Sequence, residues 1–282
     1  VARDMDSIRI ALGEEKLNYL GASYGTWLGA VYATLFPSKV RAFVLDAGVN
    51  PSHPSGPKIV AQAKSIEDRL LEYFDWCAAR RCPLAPGRDA REAKESFEEA
   101  LQLVDEGVVD GGRRPIAFDD FFGLVVSALY DGVVSYSEIT SVVQLVLDDD
   151  EPPRLLEIMD ERAGRNPDGT YSDFTGTKHV AIVCADGLDE WTTAGFDADL
   201  RAMRAVSPRR GVGDLYSYYA CLGWPVPGDR ATIDAKDAPP LLVLEGLHDP
   251  ATPPEGTREL ADALGNGSHL YSYPLDGHVA FD

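Results

Sequence analysis

The sequence predicts an α/β fold, a parallel sheet flanked by helices, carrying a large and mainly helical insertion. Three observations lead there. Apolar stretches of strand length alternate with helical patterns at both ends of the chain. A Gly-x-Ser-x-Gly motif, Gly21-Ala22-Ser23-Tyr24-Gly25, stands between a strand-like and a helix-like segment. The long interval between the two end regions has its apolar residues at helical rather than alternating spacing.

The elements follow in chain order. Residues 1–14 read as one helix, with Met5, Ile8 and Leu12 on one face. Residues 17–22 are the strand that enters the motif, Thr26 to Phe36 the helix that leaves it, and Val40 to Asp46 the next strand. A Gly-x-Ser-x-Gly placed this way is a nucleophile elbow: a sharp turn with the serine at its apex, strained in backbone and exposed at its hydroxyl. The two glycines let strand and helix pass close to the apex without a Cβ clash. Elbow and parallel strands together specify the α/β hydrolase fold.

The insertion runs over about 51–236. Ile59 to Trp76 and Asp89 to Val104 have apolar residues at helical spacing, the latter with acidic residues in its early turns. Phe118 to Tyr130 and Tyr136 to Leu147 read as more deeply buried helices. Gly111-Gly112 and Asn166-Pro167-Asp168-Gly169 mark turns. Residues 1–50 and 237–282 then form a partial hydrolase core and 51–236 a helical cap, which would restrict substrate entry and exclude water. The last region reads as strand (Pro239 to Gly246), helix (Glu255 to Leu264), strand (Leu270 to Pro274) and a histidine-bearing loop.

An elbow predicts an acid and then a histidine downstream, each after a strand. Asp249 leaves a strand into the proline-bounded loop Asp249-Pro250-Ala251-Thr252-Pro253, which suits a residue that holds a histidine in one tautomer. An Asx turn capping the following helix accounts for it equally well. Of the five histidines, His53 lies in a Pro/Ser loop and His179 at the start of an apolar run. His248 adjoins the acid, and His269 begins the last strand. Only His278 follows that strand in a Gly-His loop. Ser23, Asp249 and His278 are therefore the candidate triad: a serine needs a base within reach, histidine exchanges a proton near neutrality, and the acid orients it. The Tyr24 backbone N–H is the expected oxyanion donor; the second donor belongs to a loop upstream of the elbow.

Only 22 residues precede Ser23. The early strands of a hydrolase sheet are absent from this chain, and it stops four residues after His278. The expectation is a segment cut at both ends, inactive or poorly soluble by itself, because the elbow strand keeps an unpaired apolar edge.

Net charge is −20, which argues against nucleic acid and anionic membrane surfaces as partners. No apolar run approaches the ~20 residues of a membrane span. No metal or cofactor motif is found, and Gly111-Gly112 is only a turn. Four cysteines fall in two patterns, Cys77 with Cys82 and Cys184 with Cys221; this is the natural pairing of three possible ones. Disulfides would favour export to an oxidising compartment, whereas unpaired buried thiols would fit a cytosolic enzyme.

The stretches Ala2-Arg3-Asp4-Met5-Asp6, Asn18 through Thr26, Val31 to Pro37 and Val44-Leu45-Asp46 together resemble the tripeptidyl aminopeptidase group of secreted bacterial α/β hydrolases, relatives of the prolyl iminopeptidases. The resemblance continues at Trp76-Cys77, Ile182 to Asp186, Cys221 to Pro225 and Asp249 to Pro253. It is specific in the elbow and the Asp-Pro-x-Thr-Pro loop and loose through the cap. It implies secretion, release of short peptides or amino acids from free N-termini, the triad above, and the four cysteines in pairs. An exopeptidase must bind the substrate ammonium, for which Asp186 and Glu190 are the candidates; a solvated acidic face is the plain alternative. An esterase acting on small substrates with the same triad is the competing reading. A non-catalytic chain that keeps the elbow as scaffold is a third.

Overall fold

The computed structural model describes residues 1–49, 55–148, 152–172, 175–186, 192–209, 215, 220–221, 224–226, 228 and 231–281. The chain divides into two compact units. One comprises Val1–Ser65, Ala185–Glu190 and Val226–Asp282, the other Ile66–Cys184 and Trp191–Pro225.

The first unit is built on a four-stranded parallel sheet in the order β1 (Leu17–Ala22), β2 (Val40–Asp46), β3 (Leu242–His248), β4 (His269–Asp276). Ala22 pairs with Asp46, so the carboxyl ends of β1 and β2 are in register, and Asp46 pairs with Leu244 inside β3, which runs four residues further to His248. Open parallel sheets bind ligands beyond those ends. Ser23, Asp249 and His278 all lie there: Ser23 and Asp249 directly follow β1 and β3, and His278 comes two residues after β4. Helices cover the apolar strands. α1 (Ala2–Ala11) packs on α2 (Tyr24–Leu35), which packs on β1 and β2, and a helix over Pro254–Leu264 packs on β3. Tyr32, Phe43, Leu45, Val243, Leu260 and Leu264 form the centre of this core.

The helix at the start of the chain uses only part of the face its pattern suggested, with Met5 packed against the core. Ile8 and Leu12 are exposed, at 59% and 72%, and Ala2 and Arg9 are buried instead. Arg9 bonds the Asp6 carboxylate (2.7 Å) and the carbonyls that follow the helix, and the Tyr32 hydroxyl donates to Asp6 (2.9 Å). A hydrogen-bonded guanidinium can lay its stem along the packed face, which hydrophobic periodicity does not register.

The second unit is helical. It contains the later part of α3 (Ser55–Arg80), then α4 (Ala90–Asp105), α5 (Phe118–Tyr130), α6 (Tyr136–Leu147), α7 (Pro152–Arg162), most of α8 (Thr175–Ala185) and α9 (Thr193–Val206). The Pro254–Leu264 helix of the first unit is α10. Asp89 caps α4 by accepting the Arg91 N–H, which sets the start the acidic first turns suggested. Tyr73, Phe97, Phe121, Leu129, Ile139 and Leu155 are fully buried in one cluster. The buried Glu67 carboxylate accepts from the Ser207 hydroxyl (3.1 Å) and pairs with Arg209. The two expected turns are present: Asp110 bridges Pro115 and Arg165 bridges Tyr171, with Gly112 and Gly169 at positive φ.

Both disulfides form, Cys77–Cys82 with Cα atoms 4.9 Å apart and Cys184–Cys221 at 5.2 Å. Their sequence separations are 5 and 37. By chain entropy the shorter should stabilise by about 2 kcal/mol and the longer by about 4 kcal/mol. Replacing Cys184 and Cys221 with serine is accordingly expected to lower the urea unfolding free energy about twice as much as replacing Cys77 and Cys82.

Candidate active site

The elbow at Ser23 is a strained turn held from several sides. Ser23 has φ 52° and ψ −121°, a left-handed conformation that a non-glycine residue adopts only when its surroundings impose it. Its N–H donates to the Asp46 carbonyl at 2.9 Å. Its own carbonyl accepts from the Thr26 N–H (2.9 Å) and hydroxyl (2.6 Å). The Thr26 oxygen in turn accepts the Val49 N–H (2.9 Å). The Tyr19 hydroxyl donates to the Gly25 carbonyl at 2.7 Å. Gly21 is required by space, since a Cβ there would lie 2.5 Å from the Gly25 carbonyl oxygen. Tyr24 opens α2, so its N–H has no carbonyl one turn back and sits at the positive end of the helix dipole, where an oxyanion would be received.

Asp249 both closes an Asx turn and faces a histidine. Its carboxylate is fully buried. Oδ1 accepts the N–H groups of Ala251 (2.7 Å) and Thr252 (2.8 Å), which is an Asx turn, and Oδ2 accepts the Thr252 hydroxyl (2.8 Å). The same carboxylate faces Nδ1 of His278 at 2.9 and 3.0 Å. The loop is fastened further by the first turns of α3: Gln62 donates to the Ala251 carbonyl (2.9 Å) and Ser65 to the Asp249 carbonyl (2.8 Å). An Nδ1 held against a carboxylate is the protonated nitrogen, which leaves Nε2 as the basic face of the imidazole.

The remaining histidines are elsewhere. Nδ1 of His248 lies 3.4 Å from Asp276, His269 begins β4, and His179 is exposed on α8. His53 lies outside the described residues.

Of the two acidic candidates for ammonium binding, Asp186 is adjacent to the elbow. The Tyr24 hydroxyl donates to it at 2.8 Å. Burial pushes the Asp186 carboxyl above the usual range, while the Tyr24 hydrogen bond and the Lys58 charge pull it back. Burial first, and then the Asp186 carboxylate, raise the Tyr24 phenol, so it stays a donor. Glu190 lies outside the described residues.

Sequence reasoning missed the residues that hold the site: Tyr19, Thr26, Gln62, Ser65, Thr252 and above all Asp46. For Asp46 there was a signal, an ionisable residue that closes the apolar run Ala42-Phe43-Val44-Leu45 at the end of a strand.

Comparison with known proteins agrees with the fold. Residues 1–123 match the family described as alpha/beta hydrolase fold, and residues 209–282 the one described as TAP-like protein. The chain has the α/β hydrolase fold. Its relatives include the group the resemblance pointed to. It is 33% identical over 278 residues to the serine protease Hip1 of Mycobacterium tuberculosis, an alignment covering 94% of this chain and 52% of that protein. It is 32% identical to the tripeptidyl aminopeptidase of Streptomyces lividans, covering 95% and 50%. It is 31% identical to carboxylesterase B of Mycobacterium tuberculosis, covering 99% and 54%. The chain spans about half the length of these relatives.

Proposed function

We propose that the protein is a serine hydrolase working by acyl transfer, and that it is an exopeptidase releasing short peptides or amino acids from free N-termini. The observation that carries the first statement is the His278–Asp249 pair at 2.9 Å beyond the strand ends where Ser23 occupies a strained elbow. In this reading Ser23 Oγ attacks the scissile carbonyl and passes its proton to Nε2 of His278. The oxyanion is received by the Tyr24 N–H, and His278 protonates the leaving amine. Water, deprotonated by His278, then cleaves the acyl-enzyme. Asp249 keeps Nδ1 protonated and stabilises the imidazolium.

The exopeptidase reading is supported by the serine protease and tripeptidyl aminopeptidase relatives and by Asp186 beside Tyr24, a carboxylate with which an ammonium could pair. The carboxylesterase relative favours a second reading, an esterase with the same triad. Two chromogenic peptides, identical except for an acetylated N-terminus, separate them in the full-length protein. Cleavage of the free-amine peptide alone, lost in Ser23→Ala, supports the exopeptidase. Equal cleavage of both removes it, and turnover of simple esters only assigns an esterase.

Asp186 carries a pH prediction. It binds an ammonium only when ionised, and its carboxyl is raised. KM for a free-amine peptide should therefore fall as pH rises through that raised value and climb again on acidification. Asp186→Asn should raise KM about tenfold or more, the worth of one charge-assisted hydrogen bond, and remove this dependence. Initial rates across a pH series with both forms provide the check.

Two disulfides and no free cysteine support an oxidising compartment outside the cytosol. Among the described residues no helix is long and apolar enough to cross a membrane. Peptides or small esters are the proposed substrates.

A further inference from the structure

Asp46 ends β2 and is fully buried, yet among the described residues no lysine or arginine pairs with it. Its partners are instead a phenol and two main-chain amides. The Tyr273 hydroxyl donates to Oδ1 at 3.1 Å. The N–H groups of Ala280 (2.6 Å) and Phe281 (3.2 Å) donate to Oδ2. Those amides belong to the loop that carries His278. The Asp46 carbonyl meanwhile accepts the N–H of Ser23. One residue thus bonds the nucleophile through its main chain and the loop of the base through its side chain.

The loop needs such a restraint. Gly277 has φ 118° and Val279 φ 63°, so His278 sits between two left-handed residues. The second is β-branched, for which positive φ is a genuine outlier, kept only where neighbouring contacts over-determine it. The Asp249 contact acts on the imidazole ring and leaves this backbone to be fixed by something else. The described hydrogen bonds to the loop's later amides both end on Asp46. Burial and the nearby negative charge raise the Tyr273 phenol, which keeps it a donor to the carboxylate.

We propose that Asp46 is a positioning residue, distinct from the triad acid, that sets the distance between Ser23 and Nε2 of His278. The proposal rests on the reading of Ser23, Asp249 and His278 as the triad. A carboxylate suits the role because one oxygen can accept both loop amides while the other holds the phenol. An asparagine has a single acceptor oxygen for the same three donors. Substrate binding does not pass through Asp46, so a loosened loop should show in kcat rather than in KM.

The test uses the full-length protein and Asp46→Asn, with Glu245→Gln as comparison. Glu245 is a carboxylate equally buried on β3, bonded to Arg258 and Ser272 and to neither the elbow nor the His278 loop. The expected result is a fall in kcat of about tenfold or more in Asp46→Asn with KM within about twofold, while Glu245→Gln lowers the melting temperature and keeps kcat. Unchanged kcat in Asp46→Asn, with Ser23→Ala inactive, would overturn the proposal alone. So would an equal kcat loss in Glu245→Gln, which would mean that any buried carboxylate of the sheet matters as much. An active Ser23→Ala would overturn the triad reading and the proposal with it. Should Asp46→Asn fail to fold, amide exchange in the parent decides: slow exchange at Ala280 and Phe281 supports the restraint, and exchange at the rate of a free loop contradicts it.

Discussion

Ser23→Ala is expected to lower kcat by on the order of 10⁴–10⁶-fold while leaving the fold intact. The hydroxyl is the only group removed. The backbone that strains this position is held by main-chain bonds to Asp46 and Thr26, which alanine keeps. The residual rate should be that of bound substrate and oxyanion donors acting on water. Because nucleophile and base act as a unit, the double variant Ser23→Ala/His278→Ala should be no slower than Ser23→Ala alone. Steady-state kinetics on a chromogenic substrate, with folding checked by circular dichroism, measures both. Losses that multiply would show that the two residues act separately.

Asp249→Asn should cost about 10⁴-fold in kcat, the penalty for a histidine held in the wrong tautomer. The hydrogen bonds here say why asparagine is a poor replacement despite its shape. Oδ1 must still accept the Ala251 and Thr252 amides, so the new NH₂ falls at the Oδ2 position, against the Thr252 hydroxyl and Nδ1 of His278. A donor facing Nδ1 makes that nitrogen the acceptor and moves the proton to Nε2, which can then no longer take one from Ser23. KM should change little, since Asp249 is fully buried and meets no substrate. The parent and Asp249→Asn, compared for kcat and KM on one peptide, check this. A loss confined to KM would place Asp249 in binding rather than in orienting the base.

Much of this arrangement could be read from the residues. The elbow was legible because its chemistry is local: Gly21 is demanded by a carbonyl 2.5 Å from where its Cβ would be, and a strand and a helix flank it within a few residues. Asp249 and His278 were legible through order alone, each after a strand. α5 and α6 were legible to the residue because each carries a dense apolar face at helical spacing, Phe121, Phe122, Val125 and Leu129 in one and Ile139, Val142, Val143 and Val146 in the other, and each ends at an aspartate, Asp131 and Asp148. What escaped depends on partners far away in sequence. Asp46 gains its meaning from amides more than 230 residues on, and Ser65 and Gln62 from carbonyls more than 180 residues on. The packed face of α1 was legible only at Met5, because the residue that anchors it is a charged arginine, buried by bonds to Asp6 and to carbonyls rather than by its hydrophobicity.

The measurement that bears most directly on the whole account is labelling of the full-length protein with a fluorophosphonate, followed by mass mapping of the modified peptide. The expected result is a single modification at Ser23, fast in the parent, absent in Ser23→Ala and slowed by orders of magnitude in His278→Ala, where the serine has no base. A folded protein that takes no label, or takes it on another serine, would contradict it.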